Sequence, residues 1–320
     1  MDPYVLDIPY LLRWLLVHLL ILPFRPKKSA EAYQKIWNKN SDHTLANESP
    51  LVENTRRFTE GLKQIIGSDG LFFAMRYGRP SIESVLQEIE SQKFDHLHLV
   101  PLYPHYAMSS TMTAVEETKR ILRNLKSKIQ LQVIRPFYAM PEFIDPLARS
   151  IEERLDSRTS ENFLLFSYHG LPERHITKLD STGNHCLKKT NCCAEDHNSV
   201  SCYRHQIIAT TSEVAQKLNL KPNQFGFSFQ SRLGRAKWLF PNSIDKVIQL
   251  AKSGVKHLTV VCPAFVADNL ETLEEVNIRL RQTFLDHGGK SFTYIPCLNS
   301  DPAWIQSFSE LLKKHLHETA

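Results

Sequence analysis

Apolar and polar positions along the chain fall into two alternating rhythms. Short apolar runs of strand length occur at Leu71–Met75, His96–Leu102, Gln130–Ile134, Phe163–Ser167, Gln224–Phe229, His257–Cys262 and Ser291–Ile295. Between most of them, apolar positions recur every three or four residues, at Leu51–Ile66, Ser81–Gln92, Ala114–Leu125, Pro141–Arg154, Ile207–Leu218, Ile244–Lys252 and Glu271–Leu285. The first rhythm predicts strands and the second amphipathic helices. Their alternation implies parallel sheets joined by right-handed crossovers. A last amphipathic helix is expected from about Asp301 to Leu316.

Two stretches break the rhythm. From Leu11 to Leu22 the chain is apolar except for Arg13 and His18. That is too short to span a bilayer, and Asp2 and Asp7 stand where a signal peptide needs a basic start. The first expectation is a buried core helix. The second is an apolar lip that touches membrane, with Arg25, Lys27 and Lys28 facing headgroups. Between Pro172 and Tyr203 the chain is polar and aperiodic, which predicts a long functional loop. The group of βα units before Tyr138 and the group after it predict two domains, residues 1–138 and 139–320, the second holding a cysteine-rich loop at 173–203 and the terminal helix at 301–316.

Length supports that division, because 320 residues exceed one ordinary core. The net charge of +5 is mild and spread along the chain. It suits anionic ligands or an anionic membrane surface and gives no argument for nucleic acid. Of the six cysteines, Cys186, Cys192, Cys193 and Cys202 crowd into one segment, whereas Cys262 and Cys297 are isolated. Such crowding beside histidines predicts a metal site in a reducing, cytoplasmic compartment, not a disulfide framework. No G-x-G-x-x-G follows a strand, so a dinucleotide fold is not supported.

Candidate chemistry sits at two strand ends. The run Phe163–Ser167 leads into Ser167-Tyr168-His169-Gly170-Leu171-Pro172. A histidine at the carboxyl end of a parallel strand stands where open α/β sheets bind ligands, although taken alone it reads first as a hydrogen-bonded loop residue. Neutral imidazole can hold a borderline metal or accept a proton. The run His257–Cys262 leads into Phe265-Val266-Ala267-Asp268-Asn269-Leu270-Glu271, with Glu275 four residues on, sharing a helix face with Glu271. Acidic residues in a first turn also simply complement the helix dipole. Together the two strand ends bring metal ligands to one rim of a sheet.

These segments resemble the ferrochelatase family over most of the chain. Phe73-Ala74-Met75-Arg76-Tyr77-Gly78 is similar to the family's strand end whose Arg and Tyr line the porphyrin cleft. Leu102-Tyr103-Pro104-His105-Tyr106, with Ser109-Ser110-Thr111, resembles its Tyr-Pro-Gln-Tyr-Ser loop. The segments around His169 and Glu271 resemble those bearing its active-site histidine and glutamate, and Gln230-Ser231-Arg232 through Trp238-Leu239-Phe240-Pro241 resembles its Gln-Ser and Trp-Leu-x-Pro. The resemblance implies two doubly wound, Rossmann-like α/β domains with parallel four-stranded sheets, and a porphyrin cleft between them. It implies insertion of Fe2+ into protoporphyrin IX to give protohaem. His169 is the expected proton acceptor or metal ligand, and Glu271, Glu275 and Asp268 an expected carboxylate relay. Arg76, Tyr77, Tyr103 and Tyr106 are the expected porphyrin contacts. Peripheral contact with the inner face of a membrane is a further expectation.

Two departures stand out. The chain opens at Met1-Asp2-Pro3-Tyr4, inside what resembles the end of the family's first helix, so roughly thirty residues with a first strand are expected upstream. Ser201-Cys202-Tyr203-Arg204-His205 replaces the family's Gly-Asp-x-Tyr-Pro. The spacing C-x5-C-C-x8-C suits a [2Fe–2S] cluster, as in some bacterial members, with structural zinc and His185 or His197 as the alternative. Two other functions compete: a sirohydrochlorin-type cobalt or iron chelatase, disfavoured because such relatives pair histidines, and an iron–sulfur sensor on an inactive chelatase scaffold.

Overall fold

The computed structural model describes residues 2–37, 48–67, 70–155, 162–194, 200–232, 234 and 236–319. The chain starts with α1 (Tyr10–Leu15), a π-helical turn (Leu16–Ile21) and α2 (Leu22–Ile36). Then come α3 (Pro50–Ile66), α4 (Ile82–Ser91), β1 (His96–Leu99), α5 (Thr113–Leu125), β2 (Gln130–Val133) and α6 (Pro141–Glu152). The second half holds β3 (Asn162–His169), α7 (Glu173–Thr177), α8 (Tyr203–Lys217), β4 (Phe225–Gln230), α9 (Ser243–Lys252) and β5 (His257–Val261). It ends with a π-helical run (Glu271–Leu280), α10 (Arg281–Asp286), β6 (Ser291–Tyr294) and α11 (Pro302–Thr319). Local chemistry sets several of these boundaries. Ser49 caps α3 by accepting from Val52 N at 3.4 Å, Pro50 occupies its first turn, and Gly67 ends it in the left-handed region at φ 66°. Asn242 caps α9 the same way, accepting from Ile244 N.

Both sheets are parallel. In the second, the order is β4-β3-β5-β6, with β3 in the interior. Its residues Phe163 to Tyr168 are buried without alternation, as expected of a strand covered by helices on both faces. In the first sheet, β1 pairs with β2 in the register His96 to Gln130, and no further strand lies among the described residues. Four strands were expected there. Leu71–Met75, expected as a strand, runs without a ladder and makes one isolated bridge, Met75 to Ser81. The reason is visible beside it. A cavity of about 420 Å3 separates residues 70–76 from residues 97–103. Phe58 and Leu62 of α3 line it from one side, and Val85, Leu86 and Ile89 of α4 from the other. Helices from opposite faces of a sheet can meet one cavity only where the sheet between them is open. An apolar run without a neighbour to pair with stays extended but forms no strand.

The main core joins the two halves. Phe58 of α3, Phe137, Phe143 of α6 and Trp304 and Phe308 of α11 form one aromatic cluster, with ring centroids 4.9–6.3 Å apart. Edge-to-face and offset pairs of this kind add stabilisation beyond their burial. Helix α11 therefore clamps α3 and α6 together.

The Leu11–Leu22 stretch is helical but not core. Leu11, Leu12, Trp14, Leu19, Leu20 and Leu22 are exposed, and Arg13 is the buried one. No helix among the described residues is long and apolar enough to cross a membrane.

Candidate active site

The rim of the second sheet carries the chemistry. Strand β3 delivers His169 at its last position, in register with Gln230 of β4. Two contacts fix it. Its ring meets Phe265 edge-on at 6.2 Å, and its carbonyl accepts from Tyr203 OH at 2.9 Å. Neither Phe265 nor Tyr203 was singled out in the sequence. Below, Ser167 Oγ donates to Gln230 Oε1 at 2.7 Å, a buried polar contact that ties β3 to β4 just behind the histidine.

The turn after β5 supplies the carboxylates. Asp268 is buried and saturated. It accepts from Tyr294 OH, from Asn299 Nδ2 at 2.7 Å and from Thr272 Oγ1 at 3.0 Å, while its own N–H donates to Asn299 Oδ1. Thr272 and Asn269 exchange further bonds, which start the π-helical run. Runs of this kind recur at functional sites because the extra residue per turn re-aims side chains. The first residue of this run is Glu271, within electrostatic reach of His169. Burial pushes its carboxyl above the usual range, the charge of Glu275 adds to this, and the nearby His169 opposes it. Glu275 faces outward, accepting from Ser231 Oγ and pairing with Arg279 at 3.1 Å. Glu274 is the most buried of the three glutamates, held by Arg279 at 2.7 Å and by Lys35 of α2 at 3.2 Å. Helix α2, which continues from the apolar stretch, thus rests on the π-helical run that carries Glu271.

The cavity reaches this rim. Glu271, Asn269 and Phe265 line it together with Met75, Arg76 and Tyr103. His169, Glu275, Asp268, Tyr77 and Tyr106 are not in that lining. Burial raises the Tyr103 phenol above its ordinary range, with Arg76 opposing. Tyr77 is exposed and donates to Asp2 Oδ2 at 2.6 Å. Tyr106 is half-buried, its N–H donating to Gln206 of α8 at 2.7 Å.

The cysteine segment is ordered by one residue that the sequence did not flag. Asp180 accepts from the N–H groups of Thr182, His185 and Cys186 at 2.8–3.0 Å, and from Thr182 Oγ1 at 2.7 Å. The Thr182 hydroxyl and these backbone donors hold its carboxyl well below the usual range. Around it the thiols converge. Cys192 and Cys193 sulfurs are 3.9 Å apart, and Arg204 reaches Cys193 at 3.1 Å. A hydrogen bond with Cys202 lowers the Cys193 thiol to about 6, with Arg204 assisting, and the same bond raises Cys202. The Cys186 charge also acts on Cys202. Cys186, Cys192 and Cys202 are buried. Four thiols are chemically the donors that four-thiolate ligation needs, but no group of three or more His, Cys, Asp or Glu among the described residues is arranged around a metal position. His185 Nε2 faces the Cys192 carbonyl at 2.8 Å. His197 lies outside the described residues.

Two parallel sheets, with imidazole and carboxylate at the strand ends of the second, place the chain among the chelatase-like α/β proteins. SirB from Bacillus subtilis with Fe3+ shares this fold, with a TM-score of 0.55 and 13% identity over 82% of this chain and 88% of that one. The cobalt complex of the sirohydrochlorin chelatase SirB from Bacillus subtilis subspecies spizizenii also gives 0.55, at 14% identity over 84% and 90%. The ferrochelatase family model matches residues 1–316. A ferrochelatase of Pseudomonas fluorescens Pf0-1 is 44% identical over 98% of this chain and 90% of its own length. That of Coxiella burnetii is 42% identical over 98% and 86%. The chain belongs to the ferrochelatase family. It is an enzyme of haem synthesis that inserts ferrous iron into protoporphyrin IX.

Proposed function

We propose that His169 and Glu271 carry the metal and proton traffic of this insertion, and that the porphyrin lies against Arg76 and Tyr103. The reaction exchanges two pyrrole N–H protons for one Fe2+, so the site must accept protons while holding iron loosely. One observation carries the assignment. The buried carboxylate of Glu271 lies within electrostatic reach of His169 at the sheet rim and also lines the cavity shared with Arg76 and Tyr103. Imidazole at His169 accepts a pyrrole proton. Glu271, whose burial favours the protonated form, holds a proton at higher pH than an exposed carboxylate does. Glu275, at the outward end with Ser231 and Arg279, continues the relay toward solvent. Asp268 is a positioning residue, because its oxygens are already occupied by Tyr294, Asn299 and Thr272. Tyr77 and Tyr106 act from outside the cavity lining, as supports of its wall.

Purified protein with protoporphyrin IX and Fe2+, kept anaerobic, is expected to form protohaem. The His169→Ala variant is expected to lose nearly all turnover with an unchanged melting temperature. Wild-type turnover in that variant would remove His169 from the mechanism.

Two further readings belong here. The exposed apolar face of α1 and the π-helical turn, with Arg25 and Lys27 beside it, contacts an anionic membrane surface, the outlet for an apolar product. Cys186, Cys192, Cys193 and Cys202 hold a [2Fe–2S] cluster, supported by the contacts of Cys193 with Cys192 and Cys202 and by the Arg204 charge beside Cys193. Bound there, the cluster would tie the loop to the start of α8 and add a redox-sensitive centre. Its link to His169 is mechanical, through Tyr203, the residue after Cys202.

A further inference from the structure

Three rings from three parts of the chain meet behind the strand end that carries His169. His105 lies in the loop after β1 and is 2% exposed. Its ring stands edge-on to Tyr168, with centroids 5.4 Å apart, and to Tyr203, at 5.9 Å. Tyr168 is the residue before His169 in β3, and Tyr203 is the first residue of α8. Both phenols tie β3 to α8. Tyr168 OH donates to Thr211 Oγ1 at 2.8 Å, because the Thr211 proton goes to the Ile207 carbonyl. Tyr203 OH donates to the His169 carbonyl at 2.9 Å. His105 therefore touches both side chains that hold this strand end, the neighbour of His169 in the chain and the donor to its carbonyl.

One hydrogen bond orients the ring, and proton counting gives its direction. His105 Nε2 and Thr210 Oγ1 are 2.8 Å apart. Thr210 has one hydroxyl proton, which goes to the Tyr138 carbonyl at 2.7 Å or the Gln206 carbonyl at 3.2 Å. Toward His105 the hydroxyl oxygen can only accept, so Nε2 carries the proton. Nδ1 has no hydrogen-bond partner among the described residues. Burial pushes this imidazole down to about 3, so the ring stays neutral at every pH where the enzyme would be assayed. One turn before Thr210, Gln206 accepts from the Tyr106 N–H at 2.7 Å. The loop is thus locked to α8 at two successive residues, and the His105 ring fills the space between that helix and β3.

We propose that His105 is a positioning residue of the insertion reaction: wedged between Tyr168 and Tyr203 and anchored on Thr210, its neutral ring sets where the end of β3 places His169. The effect is mechanical. Tyr203 reaches the His169 carbonyl through a single hydroxyl, so a tilt of the phenol ring stretches or breaks that bond. The edge of His105 blocks the tilt, and the same ring keeps Tyr168 from turning. His105 takes no proton from the reaction, since it is buried and does not line the cavity. The inference rests on the reading that His169 carries proton or metal traffic, and the experiment separates the two.

The variants are His105→Phe, which keeps a ring and removes the Nε2–H, His105→Gln, whose planar amide restores a donor toward Thr210, and Tyr203→Phe, which removes only the hydroxyl. His169→Ala is the reference. Porphyrin affinity is read by fluorescence titration of protoporphyrin IX without iron, and kcat and KM by anaerobic turnover across pH, well below each variant's melting temperature. The expected result is a fall of about tenfold in kcat for His105→Phe and Tyr203→Phe, with Kd and KM within about twofold of the parent, as a displaced reacting group requires. His105→Gln should recover most of the lost kcat. Both limbs of the pH profile should stay in place, because the residue replaced does not titrate there. Parental kcat in His105→Phe and Tyr203→Phe, while His169→Ala is inactive, would overturn the positioning role alone. A fall in kcat matched by an equal rise in Kd would overturn it too, since general loosening would explain both. A moved pH limb in His105→Phe would make His105 an acid–base group and also overturn it. Full turnover in His169→Ala would remove His169 from the mechanism and take the inference with it. Should His105→Phe melt early, Thr210→Val, which removes the anchor and leaves the imidazole in place, decides by the same readings.

Discussion

Gly170, directly after His169, has no room for a methyl group, and the consequence can be worked out. A Cβ built there would lie 2.7 Å from the Gln230 carbonyl oxygen, 2.9 Å from that of Ser231 and 3.3 Å from Trp238 Cε3. Ordinary contact begins at 3.4 Å, so the backbone of β4 would have to retreat by 3.4 − 2.7 = 0.7 Å. It cannot do so freely. Gly170 N donates to that same Gln230 oxygen at 2.7 Å. Ser231 is held in the left-handed region at φ 58° and donates to Glu275. Overpacking costs about 1–3 kcal/mol, and the stretched hydrogen bond about 1 kcal/mol more. Gly170→Ala is therefore expected to lower stability by roughly 2–4 kcal/mol and the melting temperature by about 4–16 °C. His169 is displaced along with its neighbour, and misplacing a reacting group by about 1 Å costs on the order of 100-fold, so turnover should fall at least about tenfold. Gly226→Ala on the same strand β4 is the control. Its Cβ would meet the Phe163 ring at 3.2 Å, and a ring can tilt aside. Differential scanning calorimetry and anaerobic protoporphyrin consumption measure both variants. A Gly170→Ala protein that melts within about 2 °C of wild type and keeps full turnover would show that the strand end tolerates what its geometry forbids.

Other outcomes follow from the same site and its surroundings. Glu271 must be ionised to accept a proton, and its raised pKa places the acid limb of kcat/KM above the ordinary carboxylate range. Glu275→Gln removes a like charge, eases that ionisation and should move the limb to lower pH; a limb that stays put would exclude Glu275 from the site's electrostatics. Protein isolated without oxygen should be red-brown and bleach on reduction, and Ser at Cys186, Cys192, Cys193 or Cys202 should remove the colour. Colourless protein with one bound zinc, after growth in ample iron, would decide against the cluster. Part of the protein should float with anionic liposomes at low salt and less at high salt, and Leu11→Glu with Leu19→Glu should abolish flotation; equal flotation by the double variant would place the contact elsewhere.

The sequence determined the fold class, most of the elements and the candidate site, each through local signals. Period-2 and period-3.6 patterning located α3, α4, α5, α6, α9 and α11 within a few residues, along with six of the seven expected strands. The motif around His169 and the acidic run from Asp268 to Glu275 were legible because strand ends followed by Gly or by a capping turn have local chemistry. What the tertiary structure alone decided lies in partners far along the chain. Leu71–Met75 has strand composition, but a strand exists only by pairing, and the place beside it is an open cavity. Leu11–Leu22 has core composition, yet most of its leucines stay exposed, and composition cannot say which apolar face finds a partner. Asp268 and Glu271 are both acidic and three residues apart. Tyr294, Asn299 and Thr272 saturate the first, whereas burial beside His169 leaves the second chemically available. The same holds for His105 and Tyr203, far apart along the chain and in contact only because the loop after β1 docks on α8. Patterning marks which residues can face inward; only folding fixes which of them do, and which of them meet.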